Sequence, residues 1–360
     1  MEEISMFADN RTISHRQLFR QIVLCFTGVL LVVVPALSGL SGARGVLCLF
    51  FMYGLFIPGS IFFVRIRACY ERPEKYLGKF WGRIFCLFYI SYLFFTGIFL
   101  LLLISRIAER YFIEGSEPIL IILLSGAVCY MGCHQGLERR GRMGEAVFSL
   151  LLFLIGLMLL LAIGKMNPGY LSFHEKTTWN GWMGSIYEAF CLYLPVFFLP
   201  FTLANVERPG RGGKAMNLAV LLVTSLVSFS LILLQGAFGK NGYEQKKYPL
   251  FDLMAGVKLP GDFLERVDIF WIGAVLFCIL YAMGSIFFYC HTVLEKCHME
   301  SWALWIAIAL VTAAAATEKM GISPEIYGKL LAYVYRPLFP VSGAVAGMAL
   351  KRKRKEGGTQ

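Results

Sequence analysis

The sequence predicts an all-helical protein that crosses a membrane about ten times. Ten long apolar stretches alternate with short polar loops, and 58% of the 360 residues are hydrophobic while only 16% are charged. The apolar core of a bilayer is about 30 Å thick and takes roughly 20 apolar residues per helix. Because no water reaches the backbone there, each stretch must satisfy its amides and carbonyls internally as a helix.

The ten predicted spans follow one another closely, and the fourth and ninth are the shortest. They cover residues 17–37, 46–64, 84–104, 119–133, 146–163, 183–204, 216–238, 269–290, 302–316 and 330–350. The longest polar interval, 239–266, contains an amphipathic run at 248–257 that could lie on the membrane surface. No interval has room for a soluble domain, so residues 1–350 are predicted to form one integral-membrane domain, followed by a basic cytoplasmic tail at 351–360.

Lys and Arg are concentrated in alternate loops, which predicts the orientation. Of the 34 basic residues, 21 lie before or at the start of the first span, follow the tenth, or lie after the second, fourth, sixth and eighth, and the other 13 are assigned to the opposite loops. Cytoplasmic loops retain Lys and Arg during insertion, so both termini are predicted to be cytoplasmic. Basic residues beside a membrane are attracted to anionic lipid headgroups. The net charge of +11 therefore indicates contact with membrane lipids and no nucleic acid.

Residues that carry chemistry in enzymes form no catalytic pattern here. The sequence lacks a phosphate-binding loop, a nucleophile elbow, a zinc-protease motif and a dinucleotide fingerprint. The ten cysteines fall within or beside the spans and are expected to pack as small apolar residues. Three adjacent Cys-His pairs, at 133–134, 290–291 and 297–298, do not have the spacing of zinc sites. We therefore expect no enzyme activity, no cofactor and no metal.

Glycine and proline interrupt the first and sixth spans, where a solute site is predicted. The first contains Gly28 at mid-membrane and Pro35 near its far end, and the sixth contains Pro195 and Pro200. These spans are five apart, as expected for a 5+5 inverted repeat whose broken first helices present backbone dipoles to a solute. Proline also kinks many membrane helices without a role in binding.

Two groups of residues are candidates for function. The predicted substrate-binding residues are Thr27, Gly28, Glu188, Tyr193 and Pro195. Glu188 lies about two turns inside the sixth span. Burying an ionisable group in the membrane costs free energy, so such a residue is taken to have a function unless shown otherwise. The alternative is that the Glu188 side chain reaches the outer membrane interface. The predicted gating or structural residues are Pro35, Pro200, Glu265, Arg266 and Asp268. The last three form a charged cluster at the mouth of the eighth span, where the alternative is an ordinary interfacial ion pair.

The order and spacing of five motifs resemble the B subunit of Ger-type spore germinant receptors, within the amino acid, polyamine and organocation (APC) superfamily. The motifs are ISHRQLF from Ile13, YLGKFWGRI from Tyr76, GLERRGRMGE from Gly136, FLP from Phe198 and YPLFDLMAGVKLPGDFLERVDIFWI from Tyr248. Together they extend over essentially the whole chain, and the last is the most specific of them.

This resemblance implies a fold and a role. The fold is a LeuT-like bundle, and the location is the spore inner membrane. A small-molecule germinant, an amino acid or related nutrient, would bind between spans 1, 3, 6 and 8, and the signal would pass through an A-type and a C-type subunit. Two other functions stay open: a proton- or sodium-coupled secondary amino-acid transporter of the same superfamily, and a membrane scaffold that binds no solute.

Three leucines depart from the family pattern near the predicted site. Leu30 stands where family members often have a second glycine in the first span. Leu192 and Leu194 stand where they often have a glycine and a glutamate in the sixth span. Apolar bulk thus replaces close backbone approach and a polar group, so the pocket either favours an apolar germinant or has lost its binding function.

Overall fold

The computed structural model describes residues 12–112, 115–133, 136–171, 178–207, 209–257 and 266–357. In these ranges the regular secondary structure is helical, apart from one isolated β-bridge between Ile13 and Val206. The α-helices are α1 His15–Val33, α2 Gly42–Glu71, α3 Pro73–Leu77, α4 Lys79–Ile107, α5 Pro118–Cys133, α6 Gly136–Leu161, α7 Trp179–Tyr193, α8 Leu199–Leu203, α9 Pro209–Glu244, α10 Pro249–Ala255, α11 Asp268–Glu295, α12 Ala303–Lys319, α13 Pro324–Leu330 and α14 Arg336–Gly357.

The all-helical membrane architecture is confirmed. Eight helical segments of the described chain are long and apolar enough to cross a membrane, and they coincide with predicted spans one to three and five to nine. The fourth span is α5, a shorter apolar helix of 16 residues. The tenth consists of α13, a π-helical segment at Leu331–Tyr335 and α14, which follow each other directly.

The start of α1 is fixed by its own cap and by a contact with the sixth span. The Ser14 hydroxyl accepts the Gln17 N–H at 3.2 Å, and the Gln17 side chain accepts the Ser14 N–H at 3.1 Å, which is a capping box. The Ile13 N–H donates to the Asn205 carbonyl at 2.9 Å, and the Glu207 N–H donates to the Ile13 carbonyl at 3.2 Å. The first and sixth spans are therefore joined at one end of the bundle.

The centre of the bundle is built on the contact of α1 with α11. A Cβ atom added to Gly28 would lie 2.5 Å from the Cys278 Cβ and 2.9 Å from the Val275 carbonyl oxygen, so only glycine permits this approach. Helix α1 runs without interruption through Gly28 to Val33. The break expected near mid-membrane is therefore corrected, because Gly28 serves helix packing and its backbone keeps its helical hydrogen bonds.

Breaks in the first and sixth spans do occur, and both are 3₁₀ turns that begin around a proline. One is Val34–Ala36, directly after α1 and containing Pro35, and the other is Leu194–Phe198, between α7 and α8 and containing Pro195. Pro200 occupies the first turn of α8. Proline has no N–H to donate and fixes its own φ, so the regular helical pattern ends near these positions.

One further expectation is corrected. The amphipathic run expected on the membrane surface forms α10, whose Leu250, Phe251, Leu253 and Met254 side chains are buried, because this helix packs against α9 and α11. Helix α14 continues through the basic run at 351–355 to Gly357, and the division into a membrane domain and a basic tail stays a prediction.

Candidate solute site

A cavity of about 240 Å³ lies at the centre of the bundle. Its walls come from α1, α4, the segment joining α7 to α8, α11 and the tenth span. The lining is mostly aliphatic and aromatic, and its polar side chains are Gln21, Cys25, Tyr92, Thr96, Cys191, Thr202, Ser285, Tyr289 and Arg336. An apolar pocket with a few convergent polar groups is the usual form of a small-molecule site.

A buried arginine supports one wall of this cavity. Arg140, near the start of α6, donates to the Tyr281 carbonyl and the Ser285 hydroxyl on α11. Its guanidinium carbon lies 4.4 Å from the centroid of the Tyr281 ring, a cation–π contact. Ser285 in turn contacts the Cys25 sulfur at 3.0 Å. A positive charge is therefore fixed directly behind the Cys25 and Ser285 side chains that line the cavity.

A second, larger space of about 780 Å³ opens beside the cavity, between α4, α5, α11 and α12. Leu93 and Ile286 line both spaces and separate them. The larger space is more polar than the cavity, and Lys296 in its wall donates to the Tyr70 carbonyl at 3.3 Å. Burial lowers the pKa of the Lys296 ammonium, and the nearby carboxylate of Glu71 opposes this shift. We call this space the vestibule.

Aromatic packing fills the bundle next to the cavity. The Tyr89 hydroxyl hydrogen-bonds to the Tyr70 hydroxyl at 2.8 Å and to the Ser342 hydroxyl at 2.9 Å. The Tyr89 ring also lies 5.0 Å from that of Phe201 and 5.7 Å from that of Phe339, which lines the cavity. These contacts join α2, α4, α8 and α14 beside the cavity wall at Phe339.

The structure separates the five predicted binding residues. Pro195 lines the cavity, together with Leu30 and Leu192. The Tyr193 hydroxyl donates to the Leu49 carbonyl at 3.1 Å and pairs with the Thr224 hydroxyl, so it joins α7 to α2 and α9. Pro195 is thus the member of the predicted set that the structure places in the wall.

Thr27 and Gly28 lie outside the cavity wall. Thr27 is buried, and its hydroxyl has no hydrogen-bond partner in the described part of the chain. Gly28 faces α11, as described above. Their binding roles stay predictions that this arrangement does not favour, because α1 turns other residues, among them Cys25 and Val29, toward the cavity.

Glu188 also lies outside the cavity wall, at the turn between α1 and α2. Its carboxylate interacts with the backbone N–H of Gly39. One turn earlier on α7, the Ser185 hydroxyl donates to the Gly39 carbonyl at 2.6 Å. Arg44 and Arg336, from the second and tenth spans, act electrostatically on Glu188. Glu188 is not among the residues that line the cavity, its carboxylate lies beside Gly39, and its role in binding stays a prediction.

The predicted charged cluster at the mouth of the eighth span contains an ion pair between Arg266 and Asp268. Arg266 Nη2 lies 3.2 Å from Asp268 Oδ2 and donates to the Tyr111 carbonyl at 3.3 Å. The Arg266 side chain is 57% exposed, so the pair contributes about 0–1 kcal/mol. It ties the start of α11 to the end of the third span. Glu265 lies outside the described residues.

The described members of the three Cys-His pairs do not form a larger cluster. Cys133, Cys290 and Cys297 are buried, and His134 lies outside the described residues. In the ranges that the structure describes, no group of three His, Cys, Asp or Glu side chains could hold a metal ion.

Two arginines of the site were missed by sequence reasoning. Arg336 was assigned to a loop, although it lies inside predicted span 330–350, and Arg140 was treated only as a loop cation. A single Arg within an apolar span was an available signal, because such residues almost always face a bundle interior. Nothing in the sequence pairs Arg140 with Tyr281, since the two are 141 positions apart.

The interrupted first and sixth spans around a central cavity define a membrane protein with a secondary-transporter fold. The backbone is similar to that of a Na⁺-coupled sialic acid symporter in its substrate-bound outward-open state, with a TM-score of 0.71 at 10% sequence identity. This match covers 96% of the present chain and 82% of the symporter. At that identity the likeness shows the fold alone, which is the predicted LeuT-like one.

The family follows from the sequence. Residues 12–320 match the family model described as spore germination protein, so the chain belongs to the spore germination protein family, a permease-like membrane family and not an enzyme class. Spore germination protein YndE of Bacillus subtilis (strain 168) is 25% identical over 212 residues, which is 56% of this chain and 55% of that protein. The chain thus aligns with about half the length of this curated relative.

Proposed function

We propose that this chain is the membrane subunit of a germinant receptor, in which a small solute is sensed in the central cavity. The observation that carries the proposal is the position of the cavity, between α1, α4, the α7–α8 segment and α11, in a member of the spore germination protein family. The wall includes Pro195 at one helix break, so a solute there touches an irregular backbone segment.

Sensing requires that solute binding favour one arrangement of the bundle over another. The α7–α8 segment and the tenth span are both irregular where they meet the cavity, at Leu194–Phe198 and Leu331–Tyr335. In this proposal an A-type and a C-type partner subunit respond to the favoured arrangement. The complex lies in the spore inner membrane, with both termini of this chain in the cytoplasm.

The runner-up is a proton- or sodium-coupled amino-acid transporter, and the vestibule favours it. Among the described residues, only Leu93 and Ile286 line both the cavity and the more polar vestibule, and the vestibule would suit an exit path for the solute. Arg140 favours sensing, because a fixed positive charge behind Cys25 and Ser285 repels a coupling cation from that wall. Uptake of radiolabelled amino acids into proteoliposomes separates the two, since a sensor gives none above protein-free vesicles.

The third candidate, a scaffold that binds no solute, is tested together with the proposal by filling the cavity. Ala282 on α11 is buried in the cavity wall, and Ala309 on α12 is exposed on the outer surface. Ala282→Leu places three more carbons in a space of about 240 Å³, whereas Ala309→Leu adds the same atoms outside the bundle.

The assay is germination of spores that carry each variant as their sole receptor of this family. We expect Ala282→Leu to raise the nutrient concentration for half-maximal germination at least tenfold, and Ala309→Leu to behave as wild type, at equal protein levels in the spore membrane. Unchanged germination of Ala282→Leu spores would refute sensing in this cavity and favour the scaffold.

A further inference from the structure

Arg336 gives the cavity a chemical preference. It is the only Lys, Arg, Asp or Glu among the described residues that line the cavity, and it lies in the tenth span, beyond the residues matched by the family model. A charged side chain at membrane depth is costly, so it is found facing a bundle interior, where a partner or a ligand compensates it.

No partner in the described chain compensates Arg336 directly. It makes no hydrogen bond or ion pair with the residues that the structure describes. Arg336 acts electrostatically on the Glu188 carboxylate, which interacts with the Gly39 N–H and is influenced more strongly by Arg44. Arg336 also acts electrostatically on Tyr92, which lines the same cavity. The N–H groups of the Arg336 guanidinium can therefore donate hydrogen bonds to a group that enters the cavity.

The backbone before Arg336 is built irregularly. The five residues Leu331–Tyr335 form a π-helical segment, and the Arg336 N–H bonds to the Leu331 carbonyl. Such segments are rare and occur frequently at functional sites. Pro337 follows and supplies no N–H. This wide turn shifts the helix register within the tenth span, and both Leu331 and Arg336 line the cavity as a result.

We propose that the cavity binds a small organic anion with an apolar body, and that Arg336 holds its carboxylate. A guanidinium matches a carboxylate with two parallel hydrogen bonds. The body would lie against apolar side chains such as Phe26, Leu30 and Leu192. No Asp or Glu in the described lining is available to bind an ammonium, and about 240 Å³ suits a molecule smaller than a drug. This inference rests on the proposed function.

The test uses the purified full-length chain in lipid nanodiscs, with its six tryptophans as the unfolding signal. Three probes of one shape are compared: isovalerate, isovaleramide and isoamylamine. We expect only isovalerate to raise the unfolding temperature. Arg336→Gln should weaken its binding about 10- to 100-fold, which is what loss of a hydrogen bond to a charged group costs. Arg336→Lys should retain part of the affinity.

Arg352→Gln is the matched control, because Arg352 is exposed further along the same helix. It should bind isovalerate as wild type does. Stabilisation by the amide or the amine equal to that by isovalerate, undiminished binding in Arg336→Gln, or no binding of any probe would overturn this inference. In each of these cases, the germination assay with Ala282→Leu spores decides whether the proposed function also fails. If Ala282→Leu still raises the nutrient concentration for half-maximal germination, the proposed function stands and only the anion preference fails. If Ala282→Leu spores germinate as wild type, both fail.

Discussion

Replacing Gly28 with alanine tests whether this residue serves packing or binding. The added Cβ would lie 2.5 Å from the Cys278 Cβ and 2.9 Å from the Val275 carbonyl oxygen. Carbon atoms prefer separations of about 3.5–4.0 Å, so α1 and α11 must move apart by about 1 Å. Overpacking of this kind costs about 1–3 kcal/mol. Replacing a helical glycine with alanine itself stabilises the helix by about 0.8–1 kcal/mol, so the net loss of stability is up to about 2 kcal/mol. We expect a value toward the upper end, because one of the close atoms is backbone and cannot rotate away.

The assay is thermal unfolding of the purified chain, with Gly54→Ala as the matched control. Gly54 lies within α2 and has no atom within 4 Å of an added Cβ, so this substitution should leave the unfolding temperature unchanged or raise it. Gly28→Ala should lower the temperature by about 2–4 °C per kcal/mol lost. Gly28→Ala should lower the unfolding temperature less in a Cys278→Gly background than in the wild-type chain, because that background removes the Cys278 Cβ from the contact.

The refuting result is equally specific. If Gly28→Ala unfolds at the wild-type temperature, the close contact between α1 and α11 is absent. If Gly28→Ala spores then fail to germinate at a normal protein level, Gly28 belongs to the binding site after all.

Three further predictions rest on single contacts. Glu188→Ala should lower the unfolding temperature while Glu188→Gln stays near wild type, because the amide oxygen can still accept the Gly39 N–H; equal loss in both would assign the effect to charge. Arg140→Met should cost about 1.5–3 kcal/mol of stability through its lost hydrogen bonds, and exposed Arg139→Met should cost little. Exposed Gln245→Cys should react with an impermeant thiol reagent from outside the cell, and labelling only from the cytoplasmic side would reverse the predicted orientation.

The sequence was sufficient for the parts of the fold that local composition determines. A membrane span requires a helix that is long and apolar enough, and eight of the ten predicted spans are such helices in the described chain. Proline acts on its own helix, so the breaks at Pro35 and Pro195 were predictable. The break expected at Gly28 is not found, because a glycine serves equally for a break and for close packing, and the choice depends on Cys278, far away in sequence.

The candidate site was harder to predict because its polar groups come from helices distant in sequence. Arg336 reaches the cavity from the tenth span, and Arg140 contacts α11 from α6. Glu188 was the most conspicuous ionisable residue of the sixth span, yet its side chain contacts Gly39 and lies outside the cavity wall. Packing against the other helices decides which face of a helix meets a cavity. The sequence of a single apolar span therefore gives little information about that face.

Protection of a cysteine placed in the cavity tests the central claim most directly. In Ala282→Cys the thiol would lie in the cavity wall, and in Ala309→Cys it would lie on the exposed surface of α12. Alkylation at each position is followed by mass spectrometry, with and without the nutrient mixture that germinates the wild-type spores. The account predicts that nutrients slow alkylation at position 282 and leave position 309 unchanged. Equal alkylation of position 282 with and without nutrients would contradict it.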